Sequence, residues 1–432
     1  MSETTTIPIQ VPVLSRVEGE GALDLVIRDQ QIESLKLRIY EPPRYFEKFL
    51  EGRSADQLPE MVARICGICP VAYQMSAVQA VESLFEGEVT PWVKQMRRLF
   101  YCGEWVQSHA LHIHLLAAPD FLGHEHAISL ATEYPDEVRR GLRLQGVGNQ
   151  IIALLGGRSV HPVGARVGGF HYAPEPQAVD QLLETMREAA ADAEALLHWL
   201  VTLELPQEPQ SFVSVALEEG ERYPMMGETI LSDQGLRLPI AEFESRFEEL
   251  QVPHSTAFHA LFDGEPYLVG PLARINLHYD KLLPTVRACC ESLGLQFPSQ
   301  NMFDSILVRG IELLQAIHEA VAILEQYQQP ESPWTPFTPK AGTTFGATCA
   351  PRGILWHRYQ FDSQGHITQA RIVPPTSQNQ ARMEQDLHRS LTQFGLEQPE
   401  VAIKLYGEQV IRNYDPCISC ATHFLDLRME HK

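Results

Sequence analysis

Positive charge is scarce in this chain: 34 Lys and Arg face 55 Asp and Glu, a formal net charge of -21 over 432 residues. That balance argues against nucleic acid or an anionic membrane surface as partner, since both demand clustered cations. Long apolar runs are missing as well, with no 18-residue stretch suited to a membrane span. The opening Met1-Ser2-Glu3-Thr4-Thr5-Thr6 is polar and lacks the basic start and apolar run of an export signal, so a cytoplasmic location is expected. Cysteines number 8 and show no dense short-range spacing, which argues against a secreted disulfide framework. Cys102, Cys289 and Cys290 read as plain buried thiols. A Gly-rich run, Gly156-Gly157-Arg158-Ser159-Val160-His161-Pro162 with Gly164, Gly168 and Gly169 behind it, has the wrong order for a dinucleotide fingerprint or a phosphate loop. No internal repeat or low-complexity segment is visible.

What is present is a pair of C-x-x-C motifs at opposite ends. Arg64-Ile65-Cys66-Gly67-Ile68-Cys69-Pro70 stands near the start, and Asp415-Pro416-Cys417-Ile418-Ser419-Cys420-Ala421-Thr422-His423 near the end. Four thiolates converging on one point make a soft, negative site for a transition metal. Either pair alone would read equally as half a zinc knuckle or as a redox dithiol. Zinc ribbons set their two pairs about 15–20 residues apart, to close a module that needs metal to fold. Here Cys66 and Cys417 stand 351 positions apart, and a chain with 44% hydrophobic residues buries its own core. Such a metal serves reactivity rather than folding.

These two motifs resemble the signatures of the nickel-iron hydrogenase large subunit. The resemblance extends through Arg16-Val17-Glu18-Gly19, Arg44-Tyr45-Phe46-Glu47, Gly156-Gly157-Arg158 and Ala350-Pro351-Arg352-Gly353, and thus covers nearly the whole chain. Glu41-Pro42-Pro43-Arg44 and Val373-Pro374-Pro375-Thr376 are more similar to the soluble, cofactor-coupled branch. The resemblance implies a Ni-Fe centre with CO and CN ligands on iron, Cys66 and Cys417 terminal on nickel, and Cys69 and Cys420 bridging to iron. It further implies that Cys417 passes a proton to Glu18, that Arg352 hangs over the metals, and that Glu47 and His423 hold Mg2+. Thr376 and Ser377 would donate to a cyanide, and His109 would lie near the iron ligands. Implied partners are a small Fe-S subunit, flavin- and NAD(P)-binding diaphorase subunits, nickel-insertion factors, and a maturation protease that removes residues 424–432. Coenzyme F420 or a heterodisulfide-linked acceptor is the alternative to NAD(P). A non-catalytic respiratory-complex-like scaffold is the competing reading, although such relatives lack the four cysteines.

Local patterns predict an α+β, predominantly helical fold: a long-helix bundle with small peripheral β-hairpins, in one domain spanning 1–432. Residues 11–40 alternate as a β-hairpin about Arg28-Asp29-Gln30-Gln31. The helical body spans about 60–330, with one helix over 91–118 ending at Pro119 and others over 136–155, 177–203 and 303–329. A C-terminal α/β part spans about 340–423, with strands at 354–359 and 366–373. Glu18 read alone is a solvated surface acid, and Glu47 an acid paired with Arg44 or Lys48. His109, His112 and His114 do not share one helical face, so they read as core histidines rather than a metal set. Glu20, Tyr73, Ser108 and Cys349 stand where relatives of the resembled family carry other residues.

Overall fold

A computed structural model describes residues 6–84, 88–338 and 340–422. The predicted hairpin is there as β2 (Gly21–Arg28) and β3 (Gln31–Ile39), and a strand not foreseen, β1 (Thr6–Val11), pairs antiparallel with β2 on its other side. Asp29 and Gln30 take φ of 49° and 61°, the left-handed pair that a two-residue turn between twisted strands requires. Leu23, Leu25 and Ile27 of β2 point into the protein at period two.

Short helices α1 (Phe46–Leu50) and α2 (Leu58–Val62) lead to α3 (Pro70–Glu82), α4 (Pro91–Leu111), α5 (Ala118–Phe121), α6 (Ala127–Glu133) and α7 (Pro135–Gly156). Pro70, Pro91 and Pro135 each sit at a first helical position, where a missing N–H costs nothing. Helices α4 and α7 approach so closely that a Cβ on Gly148 would stand 2.5 Å from the Gln107 backbone nitrogen and 2.6 Å from the Gly103 carbonyl oxygen. Glycine is required at that crossing.

Pro119 does not end the long helix, contrary to expectation. Between α4 and α5 the backbone widens into a π-helical stretch, His112–Ala117, in which the Ala118 N–H reaches back to Ile113. The extra residue lets Pro119 open a fresh turn at a position needing no donor. The three histidines thereby separate, as anticipated. His109 Nε2 donates to Glu312 at 2.9 Å, His112 Nε2 to the Arg412 carbonyl at 2.8 Å, and His114 Nδ1 to the Ala110 carbonyl at 3.0 Å.

The chain continues through a small hairpin, β4 (Ala165–Arg166) and β5 (Gly169–Phe170), into α8 (Pro176–Leu200). Its buried residues, from Val179 through Met186 to Leu200, recur at helical spacing and face α11 (Ser305–Glu325) and α7. Before α11 come the sheet of β6 (Val215–Glu218), β7 (Thr229–Ser232) and β8 (Arg237–Pro239), the hairpin of β9 (Phe247–Leu250) and β10 (His259–Phe262), and helices α9 (Pro271–His278) and α10 (Pro284–Ser292). The C-terminal part is a meander of β11 (Gly342–Ala350), β12 (Gly353–Phe361) and β13 (Ile367–Val373), followed by α12 (Pro375–Phe394), α13 (Glu400–Asn413) and a 3-10 turn at Ser419–Thr422. One apolar cluster runs from Val11 to Cys420 and contains all four motif cysteines. Among the described residues no helix is long and apolar enough to cross a membrane.

His114 stacks on Trp199 at 5.9 Å, and burial pushes its pKa down to about 4. Above the ordinary histidine value of 6.5 both folded and unfolded states are neutral; as pH falls from 6.5 to 4 the unfolded chain takes the proton first and stability is lost. The expected loss from this side chain is about 3 kcal/mol. Denaturant unfolding at pH 7 and pH 4.5 should show that His114→Phe is less acid-sensitive than the parent protein.

Candidate metal centre

Cys69 is the residue from which α3 starts, so its thiol and that of Cys66 lie at a helix N-terminus, which favours thiolate. Cys66 Sγ also accepts the N–H groups of Ile68 at 3.3 Å and Cys69 at 3.2 Å. The last motif reaches it through the main chain. Ile418 donates its N–H to the Glu18 carbonyl at 3.0 Å, so Glu18 and Cys417 pair as a short parallel bridge. Gly19 follows with φ of 90°, and a Cβ there would stand 2.7 Å from Ile418 Cβ, which explains the Glu-Gly order of the N-terminal loop.

The four thiols meet. Cys66 and Cys417 Sγ lie 3.4 Å apart, Cys69 and Cys420 3.6 Å, and Cys417 and Cys420 2.7 Å, all four being free and buried. Burial opposes ionisation at Cys66, yet hydrogen bonds from Cys417, Cys420 and Cys69, and then the Arg352 charge, bring its pKa well below the usual thiol value. Burial pushes Cys417 and Cys420 up. The cluster therefore gives up its first proton at Cys66 and resists losing the rest until a cation replaces them.

Two arginines brace the centre. Arg44 donates one guanidinium nitrogen to the carbonyls of Ile65, at 2.7 Å, and Ser419, tying the two cysteine motifs directly together. Arg352 is 2% exposed and donates to the Asp415 carbonyl at 2.7 Å, the Asp415 carboxylate at 3.1 Å and Ser108 Oγ at 3.4 Å. Burial disfavours its charge, but Asp415 first and then the neighbouring cysteines outweigh that and hold it protonated. Thr376 Oγ1, in the first turn of α12, accepts the Cys417 N–H at 3.0 Å.

Several polar atoms here are buried without a partner: Ser377 Oγ, Tyr73 Oη, one Asp415 oxygen and His109 Nδ1. Tyr73 feels all four thiols, and burial raises its pKa well above the usual phenol value. Unsatisfied hydroxyls around a closed thiol cluster are the expected signature of groups that meet a ligand. The donor set fits a thiolate-bound transition-metal centre with small polar ligands.

The Glu18 carboxylate accepts the Ser419 N–H at 3.1 Å, and its pKa is raised by burial and by Cys66, an effect that the neighbouring Ser419 and Cys417 offset in part. It is a half-buried group rather than a freely solvated one, whereas Glu20 is exposed. Glu47 is half-buried against β13, accepts the Ile372 N–H at 2.7 Å, and has its pKa pushed up to about 8 by the desolvation of its carboxylate. Its implied companion His423 and the tail 424–432 lie outside the described residues. His109 is directed by its Nε2 to Glu312, which Arg274 grips at 2.7 Å through two nitrogens. Cys349 is a packed thiol whose burial lifts its pKa to about 11.

Sequence reasoning missed two acids. Glu104 of α4 accepts the N–H groups of Val71 at 2.6 Å and Ala72 at 3.0 Å, and so caps α3 just beyond Cys69. Glu41 accepts the Ser419 hydroxyl at 3.0 Å. An acid inside the apolar run Cys102-Gly103-Glu104-Trp105-Val106 was the available sign of the first; Glu41, next to Pro42-Pro43, offered none.

Fold and thiol cluster together define a predominantly helical protein with a buried four-cysteine site suited to a transition metal. Comparison with known proteins narrows this. The family described as nickel-dependent hydrogenase matches residues 44–140 and 254–423, and the chain belongs to that family, as its large subunit. It is similar to the alpha chain of sulfhydrogenase 1 of Pyrococcus furiosus, 29% identical over 98% of this chain and 99% of that one. The alpha chain of sulfhydrogenase 2 of the same organism is 30% identical over 97% and 100%. An F420-non-reducing hydrogenase subunit of Methanothermobacter marburgensis is 30% identical over 96% and 94%. Among solved structures, an NAD+-reducing [NiFe]-hydrogenase in the H2-reduced state superposes with TM-score 0.87 at 27% identity, over 98% of this chain and 100% of that one.

Replacing Arg352 by Leu leaves the buried Asp415 carboxylate without its principal counter-charge. The expected cost is about 3–5 kcal/mol of stability. Urea unfolding of the metal-free chain measures it, with Arg352→Lys showing a smaller loss.

Proposed function

We propose that the Cys66, Cys69, Cys417 and Cys420 thiolates hold a nickel-iron centre, the first and third terminal on nickel and the other two bridging to an iron that carries CO and CN ligands. Convergence of the four buried thiols carries this reading. Such a centre supplies Lewis acidity and a two-electron reservoir, the chemistry needed to part H2 into protons and electrons. Arg352 is the fixed cation beside it, and Ser377 and Thr376 are the hydroxyls placed toward a cyanide. Tyr73 offers its unpartnered hydroxyl to a thiolate sulfur, and His109 acts through Glu312. Glu47 is a Mg2+ ligand in this proposal, with His423 as the second.

The protein's own part is to move the proton. Cys417 Sγ yields it to the Glu18 carboxylate, whose main chain bridges to Cys417 and whose pKa that thiol influences. Beyond Glu18 stands the Ser419 hydroxyl, which donates to Glu41 while accepting from a protonated Glu18, so one proton shift at each oxygen advances the charge toward the surface. Glu20 plays no part in this route. Electrons leave through a small Fe-S subunit, since this chain's remaining cysteines, Cys102, Cys289, Cys290 and Cys349, form no cluster among the described residues. Likeness to the NAD+-reducing enzyme supports diaphorase partners and NAD(P) as acceptor. Likeness to the F420-non-reducing hydrogenases favours a different acceptor as the second reading. A maturation protease removing Phe424–Lys432 after nickel insertion completes the proposal, with the free thiols suited to a reducing cytoplasm.

Infrared absorption of the partner-associated protein should show one carbonyl and two cyanide bands with about one nickel per chain; zinc without such bands would defeat the assignment. With the bands in place, Glu18→Gln should lower H2 turnover by about 10²-fold or more. Ser419→Ala and Glu41→Gln should each slow it by about 10-fold, leaving the infrared bands unmoved. Glu20→Gln should match the parent.

A further inference from the structure

Far along the chain from the cysteines, three side chains of metal-binding type meet beside the N-terminal sheet. His254 lies in the loop between β9 and β10, His259 is the first residue of β10, and Glu384 lies on α12. One ligand atom from each lies within 4.8 Å of the other two. His254 Nε2 is 2.8 Å from Glu384 Oε1, and the two imidazoles stand edge to face at 5.8 Å between centroids. Glu384 Oε1 is oriented from behind by the Leu37 N–H of β3, at 2.8 Å.

A hydrogen bond between His254 and Glu384 would suffice if the purpose were to pin a loop. It leaves His259 unexplained. That residue is only 5% exposed, and its Nε2 is buried with no hydrogen-bond partner. A buried, unpartnered imidazole nitrogen beside a second imidazole and a carboxylate is, in the tautomer protonated at Nδ1, a lone pair available to a Lewis acid. Burial also lowers the His259 pKa, which keeps the ring in the neutral form that ligates.

We propose that His254, His259 and Glu384 form a second metal site, for a borderline divalent transition ion of the Zn2+ class. Two nitrogens and one oxygen suit such an ion; Mg2+ and Ca2+ want oxygen shells, and Cu+ wants sulfur. The side chains of His254 and Glu384 are 19% and 20% exposed, so a water completes the tetrahedron from outside. The backbone N–H of Leu37 fixes the carboxylate as outer partners of metal ligands do. The bound ion joins β3, the β9–β10 hairpin and α12, whose first turn carries Thr376 and Ser377. This site does not depend on the hydrogenase reading.

The test uses the full complex as purified, treated with EDTA to remove loosely held ions and then titrated with Zn2+ by calorimetry. One equivalent should bind, and zinc-edge absorption should show nitrogen and oxygen neighbours at about 2.0–2.1 Å and no sulfur. His259→Gln and Glu384→Gln should each weaken Zn2+ binding by 100-fold or more, with nickel content and infrared bands unchanged. Equal unfolding midpoints of parent and variants without zinc show that the variants fold. Absence of uptake, sulfur neighbours, or equal Zn2+ affinity in His259→Gln would overturn the site, leaving His259 as a histidine that faces a buried water.

Discussion

Four thiols in a dry core pose an electrostatic problem on which the rest of this structure depends. In low dielectric each added thiolate raises the cost of the next. The protein meets this with groups fixed before any metal arrives: the α3 N-terminus, two backbone N–H donors on Cys66, and the buried Arg352. One thiolate is thereby stabilised and the others held back, so the site is poised to exchange protons for a cation.

Holding two motifs 351 positions apart in register is a mechanical task as well. Arg44 does it by donating to a carbonyl on either side, and the Glu18 main chain by bridging to Cys417. A second brace lies behind: Arg16 and Arg412 share the Asp120 carboxylate, and Arg412 also donates to the Ser15 carbonyl. The N-terminal loop, α5 and α13 are thus locked to one another, and Glu18 is carried on a braced loop.

Much of the site was legible because its groups fall in short motifs whose chemistry is local: two thiols near a helix start, an acid before a required glycine, an arginine before a strand. The β2–β3 turn and the long amphipathic helices were legible for the same reason, being set by nearest neighbours. The π-helical widening was not, since that stretch sits among α7, α11 and α13, whose packing a local pattern does not show. The partners of Glu104, of Glu41 and of Glu384 beside His254 could not be read because they stand 32 to 378 positions away. No window along the chain brings such partners together.

Two buried polar environments differ in how fully their carboxylates and hydroxyls are paired. Glu312 is saturated by Arg274, His109 and Tyr223 in the middle of the bundle, and burial is overcome there to bring its pKa down to about 2. A network so fully paired has no valence left for a substrate; it stiffens α4, α9 and α11 against one another. Around the thiols the opposite holds, with Tyr73, Ser377 and one Asp415 oxygen buried and unpaired at an energetic cost that packing alone would have removed. Both environments are equally dry, so the contrast cannot be one of solvent access. It reflects hydrogen-bonding capacity left in reserve, and beside the four sulfurs, as beside His259 Nε2, that capacity lies next to groups able to bind a metal.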